Sequence, residues 1–150
     1  MIARLTLLLI ALAPQAPNVR SQDFREGRVT RIEGATRLEI TPNGEREAIK
    51  VTIAHLVSPE RGQEGYAEAE KLAARLLANR TIKYNIVRIG PIRQGRTPAV
   101  IHIGPSDDYG RHLVQAGWAW RAEPQKSTYE KEEQTAKEEG RGLWAAKKKK

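Results

Sequence analysis

The 150-residue sequence predicts an α+β domain, mainly β, in which five short strands form a small barrel completed by helices. Three observations carry that expectation. Alternating apolar and polar runs separated by tight-turn residues fill residues 27–55. A run with helical spacing follows at 65–79. Two further alternating runs then precede two helix-like segments near the C-terminal end.

The first strand is read in Gly27-Arg28-Val29-Thr30-Arg31-Ile32-Glu33. Val29 and Ile32 lie three apart rather than two, so a bulge or bend is expected inside it. Residues 36–40 alternate cleanly and put Leu38 and Ile40 on one face. Pro42-Asn43-Gly44 is a turn, and residues 48–55 read as the third strand of a meander. Ala69, Leu72, Ala73 and Leu76 then share one helical face, Glu68, Lys71 and Arg75 share another, and Asn79 is the stop. Ile82, Tyr84 and Ile86, with Arg88 next in register, give a fourth strand. Gly90-Pro91 and Gly95 punctuate a loop, and residues 99–103 supply the fifth. Ser106-Asp107-Asp108 cap a short helix through Gln115, ended by Gly117. Residues 127–139 form a polar helix stopped at Gly140 and Gly142. Five strands with a helix between the third and fourth is the oligonucleotide/oligosaccharide-binding (OB) arrangement.

Composition bounds what such a barrel does. Hydrophobic residues are 39% and charged residues 29%, polar for a globular chain but neither a disordered nor a membrane composition. With no cysteine, a disulfide scaffold, a Cys-ligated zinc site and a thiol nucleophile are excluded. Arg4 followed by the uncharged apolar residues 5–13 has the pattern of a secretory leader. That stretch is too short for a membrane span, which takes about 20 residues. Residues 1–21 are therefore expected to be a signal peptide, with Pro14 and Pro17 blurring the cleavage site; a buried N-terminal strand or helix is the other reading. The expected domain is 22–146, secreted or periplasmic, with no membrane span. Residues 147–150, four lysines, are expected to be disordered.

Several local signatures resemble the staphylococcal nuclease-like (thermonuclease) family. They are Gly27-Arg28-Val29, the Glu33-Gly34-Ala35-Thr36 turn, Ser58-Pro59-Glu60 before Gly65, and Gly95-Arg96. Leu113-Val114-Gln115-Ala116-Gly117-Trp118-Ala119 and the ending Gly140-Arg141-Gly142-Leu143-Trp144 complete the set. The resemblance implies an OB barrel and a phosphodiesterase that uses calcium, two arginines and a carboxylate that handles the attacking water. It places the two metal carboxylates at Ala35 and Val57, and the first arginine at Thr52, with Lys50 two residues away. It places the water-handling carboxylate at Glu60 and the second arginine at Arg96. Alanine and valine side chains cannot ligate calcium, so no cofactor is expected. Tyr109-Gly110-Arg111 imitates the family's Tyr-Gly-Arg loop, but its distance to Gly117 is too short, whereas Arg96 fits that spacing. Glu60 stands either as a catalytic group or as a relic.

The charge distribution adds a second candidate surface. The formal charge is +8, from 26 Lys and Arg against 18 Asp and Glu. Most of it belongs to the ends: without Arg4, Arg20 and the four terminal lysines it falls to +2. Between Glu70 and Asp107, however, no acid occurs while Lys71, Arg75, Arg80, Lys83, Arg88, Arg93 and Arg96 do. Such a stripe is either the footprint of a polyanion or a solvated strand protected from aggregation by charge. The leading expectation is an exported nuclease homologue without calcium-dependent cleavage that binds nucleic acid or another polyanion. An active secreted endonuclease with a site rebuilt from Glu60, Arg96 and Lys50, and a protein-interaction module, are the alternatives. His55, His102 and His112 have no motif spacing, Trp118 and Trp120 share one face of an extended chain, and Trp144 is expected in the core.

Overall fold

A computed structural model describes residues 24–87, 94–124 and 126–149. The expected leader and two members of the basic stripe, Arg88 and Arg93, lie outside the described residues. In chain order the strands are β1 (Arg25–Gly34), β2 (Arg37–Pro42), β3 (Ile49–Ile53), β4 (Leu56–Val57), β5 (Thr81–Ile86), β6 (Thr97–Gly104), β7 (Asp107–Asp108) and β8 (Trp120–Arg121). The helices are α1 (Tyr66–Leu77), α2 (Tyr109–Gln115) and α3 (Glu130–Glu139).

Antiparallel pairing runs β3-β2-β1-β5-β6, and a parallel pairing of β3 with β6 closes the ring. The result is the expected five-stranded OB-type barrel, with α1 between its third and fourth strands. β7 adds a short antiparallel extension to β6. β4 and β8 make a separate two-stranded ribbon.

The alternation read from the sequence is what fills the barrel. Leu38, Ile40, Val51, Tyr84 and Ile101 are fully buried, and Ile82 nearly so. Each such side chain contributes roughly 1.5–3 kcal/mol by leaving water. The irregular spacing of Val29 and Ile32 resolves as register shifts between Val29 and Arg31 and between Ile32 and Gly34. Those extra residues bend β1 around the barrel. α1 buries Ala69, Ala73 and Leu77 and keeps Leu72 and Leu76 half-buried. α2 is capped as expected: Asp108 Oδ1 accepts from the Gly110 N–H at 2.7 Å.

Several expectations need correction. The third strand does not reach His55: that residue adopts φ 65° and breaks the strand, after which Leu56 and Val57 pair with Arg121 and Trp120. α3 begins at Glu130, because Tyr129 is held at φ 61° with its phenol donating to Asp108 Oδ2 at 2.7 Å. Trp144 is half-buried rather than central, with Lys137 Nζ 4.7 Å and Lys147 Nζ 4.6 Å from its ring centroid. Ala146–Lys149 form a 3-10 turn, in which Lys147 has the Trp144 ring as a cation–π partner. Among the described residues no helix is long and apolar enough to cross a membrane.

Candidate functional site

The turn between β1 and β2 is fixed from two sides. Ala35 is buried at 1% exposure, and its carbonyl accepts a hydrogen bond from the Tyr109 hydroxyl at 2.7 Å. Burial pushes the Tyr109 phenol far above its usual pKa, so it stays a neutral donor. Replacing it by Phe leaves a buried carbonyl without a partner. Tyr109→Phe is expected to lower the unfolding free energy by about 1–2 kcal/mol in a urea titration. An unchanged midpoint would show that the turn does not depend on this bond. On the other side the Thr36 and Ser58 hydroxyls are hydrogen-bonded at 2.9 Å, both buried, which draws the segment 58–60 against the turn.

This clamp brings charged side chains to one cleft. Arg37, the first residue of β2, lies opposite Thr52 in the sheet register. Its Nη2 donates to Glu60 Oε1 at 2.7 Å. The Glu60 N–H in turn donates to Gln63 Oε1 at 2.8 Å. Arg96, the residue before β6, donates from Nη2 to Glu33 Oε2. That hydrogen bond holds the Glu33 carboxyl below the ordinary value despite burial, with help from the charges of Arg96, Lys50 and Arg31. Arg96 Nη1 is buried without a hydrogen-bond partner.

The cleft has a volume of about 470 Å³. Arg37, Glu60, Arg96 and the Thr36–Ser58 pair line one part; Val57, Val87 and Pro98 bring apolar surface. A polar cavity of about 210 Å³ adjoins it, and Arg37, Ser58 and Glu60 line both. The Arg37–Glu60 pair therefore stands as the partition between the two.

Glu60 and Arg96, the two positions retained from the resemblance, thus do share a cleft, and Thr52 and Val57 line it as well. Ala35 does not. Lys71 and Arg75 are exposed on α1, Arg80 follows that helix, and Lys83 points outward from β5. None of these four lines the cleft; Lys83 lines a separate groove beside His102. Tyr109, Gly110 and Arg111 are part of α2, with Tyr109 in the core and Arg111 paired to Glu132 at 3.1 Å. The sequence reading missed the partner groups Arg37 and Glu33. The outward position of Arg37, next to inward Leu38, was the one local signal for it.

The residues present do not fit a calcium ion. Ala35 and Val57 bring no side-chain oxygen, the Ala35 carbonyl is taken by Tyr109, and the Glu60 carboxylate is taken by Arg37. Among the described residues no three His, Cys, Asp or Glu side chains are grouped to hold a metal.

The fold and cleft define an OB-type barrel domain with a polar groove at the β1–β2 turn. The model of the family described as Staphylococcal nuclease homologue matches residues 49–146, and the chain belongs to that family. The match starts at β3, so the turn carrying Ala35 precedes it while packing into the same barrel. A search of curated proteins returns no match.

Proposed function

We propose that this protein is an exported member of the family that binds nucleic acid or another polyanion and has no calcium-dependent phosphodiesterase activity. The observation that carries the binding is a set of exposed cations on adjoining elements, of which only Lys83 has an acid partner. Lys71 and Arg75 project from α1, and Arg80 reaches back to the Leu76 carbonyl at 3.0 Å. Arg28 on β1 lies opposite Thr81, and the Val29 N–H donates to the Arg80 carbonyl at 2.9 Å. Arg28 thus joins a stripe that the sequence showed as one contiguous segment. Lys83 has only Glu26 at 4.0 Å. Unneutralised guanidinium and ammonium groups side by side attract successive phosphates and release their counterions. The lack of a side-chain oxygen at Ala35 and Val57 and the pairing of Glu60 with Arg37 support the absence of cleavage, and the leader-like segment, Arg4 followed by uncharged apolar residues, supports export.

Anisotropy of a labelled single-stranded oligonucleotide tests this. Four phosphate contacts predict an affinity loss of about fifty-fold between 50 and 200 mM salt. Lys71→Gln/Arg75→Gln/Arg80→Gln is expected to weaken binding and flatten that dependence. Absent or salt-insensitive binding of single-stranded DNA, RNA and an acidic polysaccharide alike would refute the proposal. The presence of Glu60 and Arg96 in one cleft favours the second reading, an active endonuclease; oligonucleotide cleavage abolished by Glu60→Gln would establish it instead.

A further inference from the structure

We infer that Arg37 is a built-in cation of the cleft: its guanidinium is paired with Glu60, the one carboxylate left at the positions that the resemblance assigns to calcium chemistry. The inference rests on the reading above that calcium chemistry is absent, and adds a second, independent cause for it. Loss of ligands at Ala35 and Val57 is one obstacle. A positive side chain on the remaining carboxylate is another.

The geometry is specific. Arg37 is set by the β2–β3 register opposite Thr52, and Thr36, the residue before it, is tied to Ser58 at 2.9 Å. Glu60 is fixed from its other side by the Gln63 bond to its N–H. The guanidinium and carboxylate therefore meet at 2.7 Å because both backbones are anchored. Arg96 does the same for Glu33, which lines the neighbouring cavity together with Glu60. In these two pairs each carboxylate is already neutralised by a guanidinium. A divalent ion approaching Glu60 would meet a guanidinium already in hydrogen-bond contact, and like charges at that separation repel.

The consequence is epistasis. Restoring the acids with Ala35→Asp/Val57→Asp leaves Arg37 on Glu60, so calcium affinity stays weak until Arg37 is also removed. Calorimetric titration of the full chain with calcium alone is the test. Wild type is expected to give no binding, and Ala35→Asp/Val57→Asp/Arg37→Gln to bind at least tenfold more tightly than Ala35→Asp/Val57→Asp. Arg37→Lys in place of Arg37→Gln keeps the cation and is expected to remain weak. Equal affinity of the double and triple variants would overturn the inference while leaving the absence of calcium chemistry in the native chain intact. Calcium binding by wild type would overturn both. Should the acidic variants not fold, Arg37→Gln alone serves, read by manganese broadening of the Glu60 carboxyl resonance. Broadening in Arg37→Gln and not in wild type supports the inference, and equal broadening overturns it.

Discussion

Gly117→Ala is expected to destabilise the domain by about 4 kcal/mol and to lower its melting temperature by roughly 15 °C. Gly117 lies at φ +77°, and a Cβ built there would sit 2.1 Å from the Arg141 carbonyl oxygen and 2.6 Å from its carbon. Both atoms are backbone and neither is free to retreat. The Leu143 N–H donates to the Gly117 carbonyl at 3.1 Å, and the Arg141 N–H to Ala136 at 2.9 Å. Gly142 faces the same contact from the other chain segment, with a built Cβ 2.5 Å from the Gly117 oxygen. The two glycines let the end of α2 and the segment after α3 touch backbone to backbone. Gly44→Ala is the control, since Gly44 has φ +83° but nothing within 4 Å of the added carbon. It isolates the left-handed strain, about 1–2 kcal/mol. Chemical denaturation of both variants decides the matter: if Gly117→Ala proves as mild as Gly44→Ala, the close approach is not a constraint on the fold.

The same contact shows which features the sequence carries openly. Gly117 and Gly142 were visible as helix stops, and the ending 140–144 marked the family, but their mutual contact was not. Leu38, Ile40, Ile82 and Tyr84 were legible as inward positions because alternation within one strand is local. The parallel closure of β3 on β6 and the β4–β8 ribbon join segments far apart in the chain, and no local pattern encodes them. His55 and Tyr129 adopt left-handed conformations without glycine, so their turns gave no compositional signal. Glu60 and Arg96 were legible through the family resemblance. Their partners lie 23 and 63 residues away in sequence, brought near only when the barrel closes. The basic stripe was visible as an acid-free segment, yet Arg28 joins it from another strand, and Arg96 belongs to the cleft.

Removal of the Glu133 carboxylate is the other change expected to have a large effect. Glu133 is buried at 5% exposure in α3, in a helix otherwise polar. Its Oε2 accepts from the Arg121 N–H at 2.7 Å and from Arg121 Nε at 3.3 Å, and its Oε1 from Lys137 Nζ at 2.5 Å. Burial by itself would raise the pKa of this carboxyl. The hydrogen bonds from Lys137 and from the Arg121 backbone and side chain, with the charge of Lys137, outweigh it and hold the value below 4.5. A carboxyl depressed on folding adds stability that is fully present above the unfolded value near 4.5 and is lost as pH falls through the folded one. Glu33 titrates in the same direction and window. Acidification below about pH 4.5 is therefore expected to unfold the protein progressively, and Glu133→Gln to flatten that slope without abolishing it. Glu133→Ala at neutral pH is expected to cost about 3 kcal/mol, because it strips the half-buried Arg121 of its nearest carboxylate. Arg121 would keep the Pro124 and Lys126 carbonyls, at 3.1 and 2.8 Å, and the more distant Glu130 carboxylate at 3.8 Å. Arg121 is also the residue that pairs with Leu56, and its neighbour Trp120 pairs with Val57 on the cleft. Loosening α3 thus reaches the cleft through β8 and β4. Amide hydrogen exchange on Glu133→Ala is expected to accelerate within residues 56–57 and 120–122 more than at Leu38 or Tyr84. Uniform acceleration across the barrel would mean that Glu133 supports the whole fold and has no particular hold on the cleft.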